Sequence, residues 1–538
     1  MSKAWLFIVS IPFLLAALLV NFVLTTDDLS KAELARNASL AGNYSKAERI
    51  YSDLIKADPK NVELHREKIR SHFNSPKKVG KSSYRDDKTI TNKYASLSRS
   101  TKEFESDLGF YGLGYIEIQQ GDKEKALNYY LQVNDTTFPY QNNSIGYVYL
   151  TQKQYGLAET HFLKEINSGS NQSGAFSNLA KVYQESKQKK KLDVLLSDPD
   201  ISTNISNSVY RYHYYETGQY ALYAQHAFKL GNFTTSGLIG ALLILIAWLV
   251  FLMWIDAFET EKVRHILFAL TLGCGFSMLT APLYDFYKVT LGFELNGSYI
   301  NDLLYSIFAI GVIEEFVKIL PFLILLRFKQ IINESMDYIV YASVCALGFA
   351  FMENLLYFHE SGLDSMLSRS LSATVLHMAL TSFVAYGLFY ADYRAKSSRL
   401  TYFLFAFFSA CVIHGVYDFW LISDGWVGDF RIFSVVILIY VMQRYAVAIS
   451  NALNHSEFNT GSGKTIRSAE YLAFALTMIA TYQYVVLALE YGAENANLNV
   501  FSMLLSSTLL AYLLVIQLGE IRVIKGSWNS ILKFKSSE

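Results

Sequence analysis

The stretch Ile307–Leu326, IFAIGVIEEFVKILPFLILL, decides how the chain is interpreted, because two adjacent acids stand inside an apolar run of membrane-spanning length. Carboxylates such as Glu314 and Glu315 are costly in lipid, and acids in that setting usually serve a function. Lys318 follows at helical spacing from both, so its ammonium can pair with either carboxylate. The stretch therefore predicts a transmembrane helix with a polar, functional face.

Three later apolar stretches also carry ionisable or polar residues. They are Glu353 and Asn354 in YASVCALGFAFMENLLYF, His377 in SATVLHMALTSFVAYGLFY, and His414 with Asp418 in FLFAFFSACVIHGVYDFWLI. Taken singly, Glu353 fits a side chain that reaches toward the membrane surface, and His377 fits a hydrogen-bonded core histidine. The spacing of His414 and Asp418 puts both on one helix face, where the acid can orient the imidazole. Together the four helices predict chemistry inside the membrane.

The uneven distribution of charge along the 538 residues predicts one soluble part and one membrane part. About ten membrane spans can be drawn, the first of them a retained signal anchor without a small-residue cleavage site. When the spans alternate, the Lys and Arg residues between them collect on one side, which places both termini in the cytoplasm and residues 27–235 outside it. We therefore expect a polytopic all-α protein of a bacterial inner membrane.

The soluble part carries a repeated pattern of small and aromatic residues at fixed spacing. The positions are Gly42, Tyr44, Ala47 and Tyr51, then Gly121, Ala126 and Tyr130, then Tyr155, Ala158 and Phe162, with Gly114 and Gly146 in the preceding helices. The pattern resembles tetratricopeptide repeats, which stack helix pairs into a solenoid that binds protein partners. A helical domain with coincidental spacing is the alternative. Residues 74–105 lack periodicity and read as a linker or insertion.

Several common sites are absent from the sequence. The three cysteines lie in apolar stretches, which excludes a CxxC metal site or a disulfide framework. The loop FNTGSGKT has Phe458 where a phosphate-binding loop requires its first glycine, so nucleotide binding is unsupported. The HExxH motif of zinc peptidases is also missing, since His359 and Glu360 have no second histidine at the required spacing.

As an ordered set, the membrane motifs resemble the PrsW family of intramembrane proteases, which is related to the CAAX prenyl-protease and bacteriocin-processing superfamily. The motifs are EExxK, FxxxEN, a lone histidine on the next helix, and HxxxD, and the resemblance covers about residues 236–450. The related superfamily often has histidine in the FxxxH slot, where this chain has Glu353. The resemblance implies hydrolysis of a peptide bond in a membrane-anchored protein, such as an anti-sigma factor, near the outer half of the bilayer.

The resemblance also implies roles for individual residues. Glu314 or Glu315 would be the general base, and Glu353 would support the site. His377 and His414 would bind the water or stabilise the oxyanion, with Asp418 orienting His414, while Lys318 and Asn354 support the acids. Zinc held by Glu353, His377 and His414 is possible, and a metal-free glutamate mechanism explains the residues equally well.

These inferences divide the chain into four parts. They are a signal anchor at 1–26, an extracytoplasmic repeat domain at 27–235, a PrsW-like core at 236–450, and two further spans with a cytoplasmic tail at 451–538. The expected partners are a membrane-anchored protein substrate, a protein bound to the repeats and the lipid bilayer, with no nucleic acid. A proton- or cation-coupled transporter and a non-catalytic scaffold are the alternative functions, since membrane acids and histidines also serve ion relays.

Overall fold

The computed structural model describes residues 3–22, 29–75, 88–169, 172–198, 201, 204–229, 231, 233–423, 425–461 and 463–529. The chain divides into two compact units. One comprises Met1–Leu24, Ala227–Leu489 and Ala496–Glu538, and the other comprises Thr25–His226 and Glu490–Asn495. The first unit holds the apolar helices and the second holds most of the polar part of the chain, as the charge distribution predicts. Each unit is nearly all helical, which confirms the predicted all-α class.

The polar unit is a succession of short helices in which sequence neighbours pack together. The helices are Lys31–Leu40, Tyr44–Ala57, Val62–Asn74, Lys88–Leu97, Glu103–Gln120, Lys123–Tyr130, Gln141–Thr151, Tyr155–Ser168, Gln172–Glu185, Lys189–Leu196, Asn207–Glu216 and Tyr220–Ala227. Side chains cap many of their starts. Ser30 forms a capping box with Glu33, and Asn43, Asn61 and Asp122 each accept a hydrogen bond from a first-turn amide.

The predicted small and aromatic positions meet inside these helix pairs. A Cβ at Gly114 would lie 2.6 Å from the Tyr130 ring, and one at Gly146 would lie 2.7 Å from the Phe162 ring. Each glycine therefore admits the aromatic side chain of the following helix, and Ala126 is fully buried beside the first pair. The contacts agree with helical hairpins, and their assignment as tetratricopeptide-like repeats stays a prediction.

The prediction of a linker or insertion at 74–105 is wrong for the second half of that segment. Residues Lys88–Leu97 form a helix that buries Ile90 and Tyr94, and the Tyr94 hydroxyl lies 2.9 Å from Nδ1 of the buried His65. The segment lacked an obvious apolar period because only these two side chains anchor the helix in the core. Residues 76–87 lie outside the part of the chain that the structure describes.

The apolar unit contains the remaining helices and one small β-ribbon. The α-helices are Lys3–Phe22, Thr235–Ile255, Val263–Ser277, Thr280–Asp285, Tyr299–Tyr305, Val312–Leu325, Ser335–Ser361, Met366–Leu371, Ala373–Tyr390, Arg399–Ile422, Gly425–Gly428, Ile432–Asn454, Ala469–Tyr491 and Ala493–Leu518. π-helical turns at Phe286–Thr290, Ser306–Gly311 and Ala391–Ala395 extend three of them. Strands Lys464–Arg467 and Glu520–Val523 pair antiparallel, a ribbon that the sequence did not predict.

Within the described residues, eight helices are long and apolar enough to cross a membrane, against about ten predicted spans. Of the other two, the segment predicted to be a signal anchor contributes a shorter apolar stretch at Ser10–Phe22. The helical segment from Tyr299 to Leu325 carries Asp302 and the EExxK charges, so it is too charged over a membrane-length stretch to be counted with the eight. The eight helices support a multi-pass membrane protein.

The Ser335–Ser361 helix lies at the centre of the apolar unit and is buried along most of its length. It packs against Val263–Ser277, Thr235–Ile255 and Ala373–Tyr390. The first of these approaches closely, because a Cβ at Gly273 would lie only 2.2 Å from the Cys345 carbonyl oxygen. Small residues of this kind let membrane helices pack backbone to backbone. The central helix carries Glu353 and therefore gives the site a rigid wall.

Candidate active site

Two glycines bring the EExxK helix against the helix that carries His414. A Cβ at Gly415 would lie 2.4 Å from the Ser306 carbonyl oxygen and from Ile307 Cα, and one at Gly311 would lie 2.3 Å from the Cys411 carbonyl oxygen. The contact falls on the π-helical turn Ser306–Gly311, immediately before the acids. Such turns are frequent at functional sites because they shift the side-chain register of the helix that follows. The close approach brings His414 within reach of both glutamates.

Glu315 is fully buried and holds the centre of the site together. Its Oε1 lies 2.7 Å from Lys318 Nζ and 2.8 Å from His414 Nδ1. Its Oε2 accepts a hydrogen bond from the Thr381 hydroxyl at 3.2 Å. Both carboxylate oxygens are thus engaged by donors from three helices. Such full pairing offsets part of the cost of burying the charge.

Glu314 has a different environment, although it is the next residue. Its Oε1 accepts a hydrogen bond from the Tyr284 hydroxyl at 3.1 Å. Its Oε2 is buried and accepts no hydrogen bond, while lying 3.5 Å from both Lys318 Nζ and His414 Nε2. Glu314 therefore presents one carboxylate oxygen with spare acceptor capacity toward two positively polarised groups.

His377 connects this centre to Glu353. Lys318 Nζ lies 2.7 Å from His377 Nδ1, and His377 Nε2 lies 2.8 Å from Glu353 Oε2. Because an ammonium can only donate, Nδ1 accepts and the ring carries its proton on Nε2, which donates to Glu353. The Phe349 ring packs edge-on against His377 at 5.4 Å and lies 4.9 Å from the Lys318 ammonium. Phe349 thus walls the site and stabilises the cation.

His414 has carboxylate acceptors near both ring nitrogens, and the Lys318 ammonium also lies 3.4 Å from Nδ1. Nδ1 donates to Glu315, while Nε2 lies 3.3 Å from Asp418 Oδ2 and 3.5 Å from Glu314. Imidazolium is the form that can donate on both sides. The predicted pairing of His414 with Asp418 agrees with this geometry, and Glu315 is a second acceptor that the spacing within one helix did not reveal.

The structure brings together Glu314, Glu315, Lys318, Glu353, His377, His414 and Asp418, which include every predicted catalytic position. Asn354 does not face this centre. Its Oδ1 accepts a hydrogen bond from Arg369 Nε at 2.7 Å, and a second nitrogen of the same guanidinium lies 2.9 Å from Glu353 Oε2. Sequence reasoning missed Arg369 because the residue lies in the short Met366–Leu371 helix, at the edge of a predicted span. The available signal was an arginine immediately before a predicted span, where its side chain can pair with a membrane acid on another helix.

A metal ion would find three ligands here. Among the described residues, Glu314, His377 and His414 offer ligand atoms that all lie within 4.8 Å of one another. One carboxylate and two imidazoles are a ligand set of zinc peptidases, and Glu314 Oε2 is a buried acceptor without a hydrogen bond. Glu353 lies behind His377, in the place of an outer carboxylate that orients a ligand, so it differs from the predicted role of direct ligand. The residues fit a divalent cation, provided that His377 Nδ1 exchanges its contact with Lys318 and that His414 gives up the proton on the nitrogen that binds the metal.

Comparison with known proteins supports the same region as the functional core. Residues 261–444 match the PrsW family intramembrane metalloprotease description. The chain is 26% identical over 230 residues to Protease PrsW of Clostridioides difficile (strain 630), covering 40% of this chain and 92% of that protein.

Two further relatives are similar to part of the chain. The identity is 28% over 164 residues with Protease PrsW of Oceanobacillus iheyensis, covering 30% of this chain and 71% of that protein. It is 27% over 177 residues with Protease PrsW of Bacillus subtilis (strain 168), covering 32% and 77%. No solved structure matches significantly. The similarity to PrsW proteases over the helices that build the site supports an intramembrane protease.

Proposed function

We propose that the chain is an intramembrane endopeptidase in which Glu314 activates the attacking water. The observation that carries the proposal is the unequal engagement of two neighbouring acids. Both oxygens of Glu315 are hydrogen-bonded, whereas Glu314 Oε2 accepts no hydrogen bond and faces the center shared by Lys318 and His414. A general base needs a free lone pair within reach of its proton donor, and Glu314 is the acid that has one.

The reaction then follows from the positions of the donors. Glu314 takes a proton from water while the water oxygen attacks the scissile carbonyl carbon, and the carbonyl oxygen becomes the oxyanion. The Lys318 ammonium and the His414 imidazolium supply positive charge to that oxygen in a site from which bulk water is largely excluded. Glu314 returns the proton to the amide nitrogen as the carbon–nitrogen bond breaks, which releases a carboxylic acid and an amine.

His377, Glu353 and Asp418 have supporting roles in this proposal. Glu353 fixes the orientation of the His377 ring, and Asp418 fixes that of the His414 ring. When held by Glu314, His377 and His414, a divalent cation supplies Lewis-acid polarisation of the scissile carbonyl. The Lys318 ammonium already places a positive charge beside the same three side chains, so we favour the metal-free mechanism.

The substrate and the topology also belong to the proposal. The distribution of Lys and Arg between the spans supports both termini in the cytoplasm and the repeats outside it. We propose a membrane-anchored protein as substrate, of the anti-sigma-factor kind, cut near the outer half of a bacterial inner membrane. The helix pairs of the polar unit would bind that substrate or a regulatory protein partner.

The test is cleavage of co-reconstituted single-span membrane proteins by wild type and by Glu314→Gln, Glu315→Gln, His377→Ala and His414→Ala variants. We expect Glu314→Gln to abolish cleavage with little loss of thermal stability, because the amide keeps the contact with Tyr284. We expect Glu315→Gln to lower stability as well, since it weakens three hydrogen bonds. The matched control is Glu360→Gln, the same change at an exposed glutamate on the helix that carries Glu353.

Two further results would redirect the proposal. Equal and mild losses in Glu314→Gln and Glu315→Gln would contradict the assignment of Glu314 as the base. Proton or cation flux that depends on the same residues, with no candidate protein cleaved, would favour the transporter alternative.

A further inference from the structure

Arg369 is tied to the edge of the candidate site by three contacts. Its guanidinium lies 2.9 Å from Glu353 Oε2, donates from Nε to Asn354 Oδ1 at 2.7 Å, and stacks 3.7 Å above the Tyr357 ring. The side chain is only 11% exposed. Glu353, Asn354 and Tyr357 all belong to the central Ser335–Ser361 helix, while Arg369 comes from the short Met366–Leu371 helix. The contacts thus lock two helices together at the site.

Arg369 and His377 both contact the same oxygen of the Glu353 carboxylate. Oε2 lies 2.9 Å from the guanidinium and 2.8 Å from His377 Nε2. A glutamate side chain has three rotatable bonds, so one hydrogen bond from an imidazole leaves it free to swing. The guanidinium forms an ion pair with the carboxylate, which restricts that freedom and offsets the carboxylate charge. The direction in which His377 Nδ1 faces the site therefore depends on Arg369 through Glu353.

Arg369 is itself held in place before it reaches Glu353. Asn354 Oδ1 accepts from Nε, and the Asn354 amide lies 3.4 Å from the Thr374 hydroxyl. Guanidinium is planar and presents several donors in a fixed arrangement, so it can engage two neighbouring acceptors at once, as a lysine ammonium on a flexible stem cannot. This arrangement explains why an asparagine follows Glu353: the pair Glu353–Asn354 brackets one guanidinium.

We propose that Arg369 is a positioning residue for the protease reaction, which orients His377 by fixing Glu353 and does not touch the reacting atoms. The inference rests on the proposed function and adds a residue that the motifs do not contain. The order of dependence runs from Asn354 and Tyr357 to Arg369, then to Glu353, and then to His377. Each of these contacts can be removed by a single substitution.

A double-mutant cycle tests the proposal in the full-length protein reconstituted with a single-span substrate that wild type cleaves. We expect Arg369→Gln to lower kcat about 10- to 100-fold, the range found for residues that orient a histidine from behind, with KM within about threefold of wild type. In the Glu353→Gln background, Arg369→Gln should cause little further loss, because its effect passes through Glu353. Arg369→Lys should be intermediate, since a lysine keeps the charge but not both contacts.

Two other variants control for stability and folding. Arg399→Gln removes an arginine that pairs with Asp392 at 3.2 Å outside the site, and it should cleave like wild type. If Arg369→Gln does not fold, Asn354→Ala becomes the deciding variant. It removes the support of Arg369 together with the 3.4 Å contact to Thr374 and leaves the guanidinium in place, so we expect a smaller fall in kcat that disappears when Glu353 is also replaced by Gln.

Three outcomes would overturn the inference. The first is a loss of kcat in the Glu353→Gln/Arg369→Gln variant equal to the product of the two single losses. The second is an effect of Arg369→Gln on KM alone, which indicates contact with substrate, and the third is wild-type kcat in Arg369→Gln. Failure of the proposed function is distinguishable, because in that case wild type and Glu314→Gln would be indistinguishable in the same assay. If wild type cleaves, Glu314→Gln does not and Arg369→Gln matches wild type, only the role of Arg369 is refuted.

Discussion

Replacing Gly415 with alanine tests whether the close approach of two helices controls catalysis. The new Cβ would lie 2.4 Å from the Ser306 carbonyl oxygen and from Ile307 Cα, whereas ordinary contact begins at 3.4 Å. The helices must therefore separate by about 1 Å at the residue next to His414. His414 Nδ1, now 2.8 Å from Glu315 Oε1, would move to the limit of a hydrogen bond or beyond it.

The expected magnitude follows from that displacement. A misplacement of about 1 Å in an active site can cost about 100-fold in rate, which corresponds to about 2.7 kcal/mol of barrier. Overpacking of a buried contact costs about 1–3 kcal/mol of stability, so the protein should remain folded at moderate temperature. We expect Gly415→Ala to lower kcat for a reconstituted substrate about 100-fold with a modest fall in thermal stability.

Two glycine controls separate the local effect from general loosening. Gly275→Ala adds a Cβ with no heavy atom within 4 Å, so it should leave the rate unchanged and should not lower stability. Gly387→Ala adds a Cβ 2.7 Å from the Tyr402 carbonyl oxygen, which separates the Ala373–Tyr390 and Arg399–Ile422 helices about 18 Å along the helix from His414. It should lower stability with little loss of kcat. Wild-type kcat in Gly415→Ala, or an equal fall in Gly387→Ala, would refute the reasoning.

Three other perturbations have defined outcomes. Lys318→Met removes the closer of the two cations beside the buried Glu315 and leaves it with His414. We expect loss of cleavage and about 3 kcal/mol of lost stability by chemical denaturation, with stability partly recovered in Lys318→Met/Glu315→Gln. An unchanged midpoint would contradict the buried pair. Metal analysis by mass spectrometry should find no stoichiometric metal in purified wild type or His377→Ala, and a chelator should not inhibit cleavage. One metal per chain, lost in the variant, would establish the metal mechanism instead. Burial raises the pKa of Glu334, the residue before the Ser335–Ser361 helix, to about 7, so the folded state keeps a proton that the unfolded state releases near pH 4.5. Stability should therefore fall as pH rises from about 4.5 to 7, and the thermal midpoint in Glu334→Gln should depend less on pH.

The sequence predicted best those features that depend on spacing within one helix. Lys318 reaches both glutamates, and Asp418 reaches His414, because residues three and four apart share a helix face. Contacts between helices were beyond such reasoning. That Glu315 rather than Glu314 binds His414 Nδ1 depends on a π-helical turn, which rotates the acids and has no clear signature in Ser306–Gly311.

Features outside the apolar spans were harder to predict for a different reason. The helix at Lys88–Leu97 has only two buried anchors, and the ribbon of Lys464–Arg467 with Glu520–Val523 joins segments that lie far apart in sequence. Arg369 belongs to the same class, since its importance comes from Glu353 and Asn354 on another helix. Local propensity carries no information about such long-range partners, and a single sequence offers no covariation to replace it.

The balance of charge in the site explains why one glutamate remains available as a base. The acids that line it are Glu314, Glu315, Glu353 and Asp418, and the cations are Lys318, Arg369 and an imidazolium at His414. Four carboxylates against three cations leave one negative charge that no cation fully offsets in a medium of low dielectric. Geometry assigns that charge to Glu314, whose Oε2 has no hydrogen bond, since each of the other acids holds a closer ionic partner than the 3.5 Å contacts of Glu314. An acid in this state stabilises itself by accepting a proton, and a water molecule that is attacking a carbonyl is the group with a proton to give.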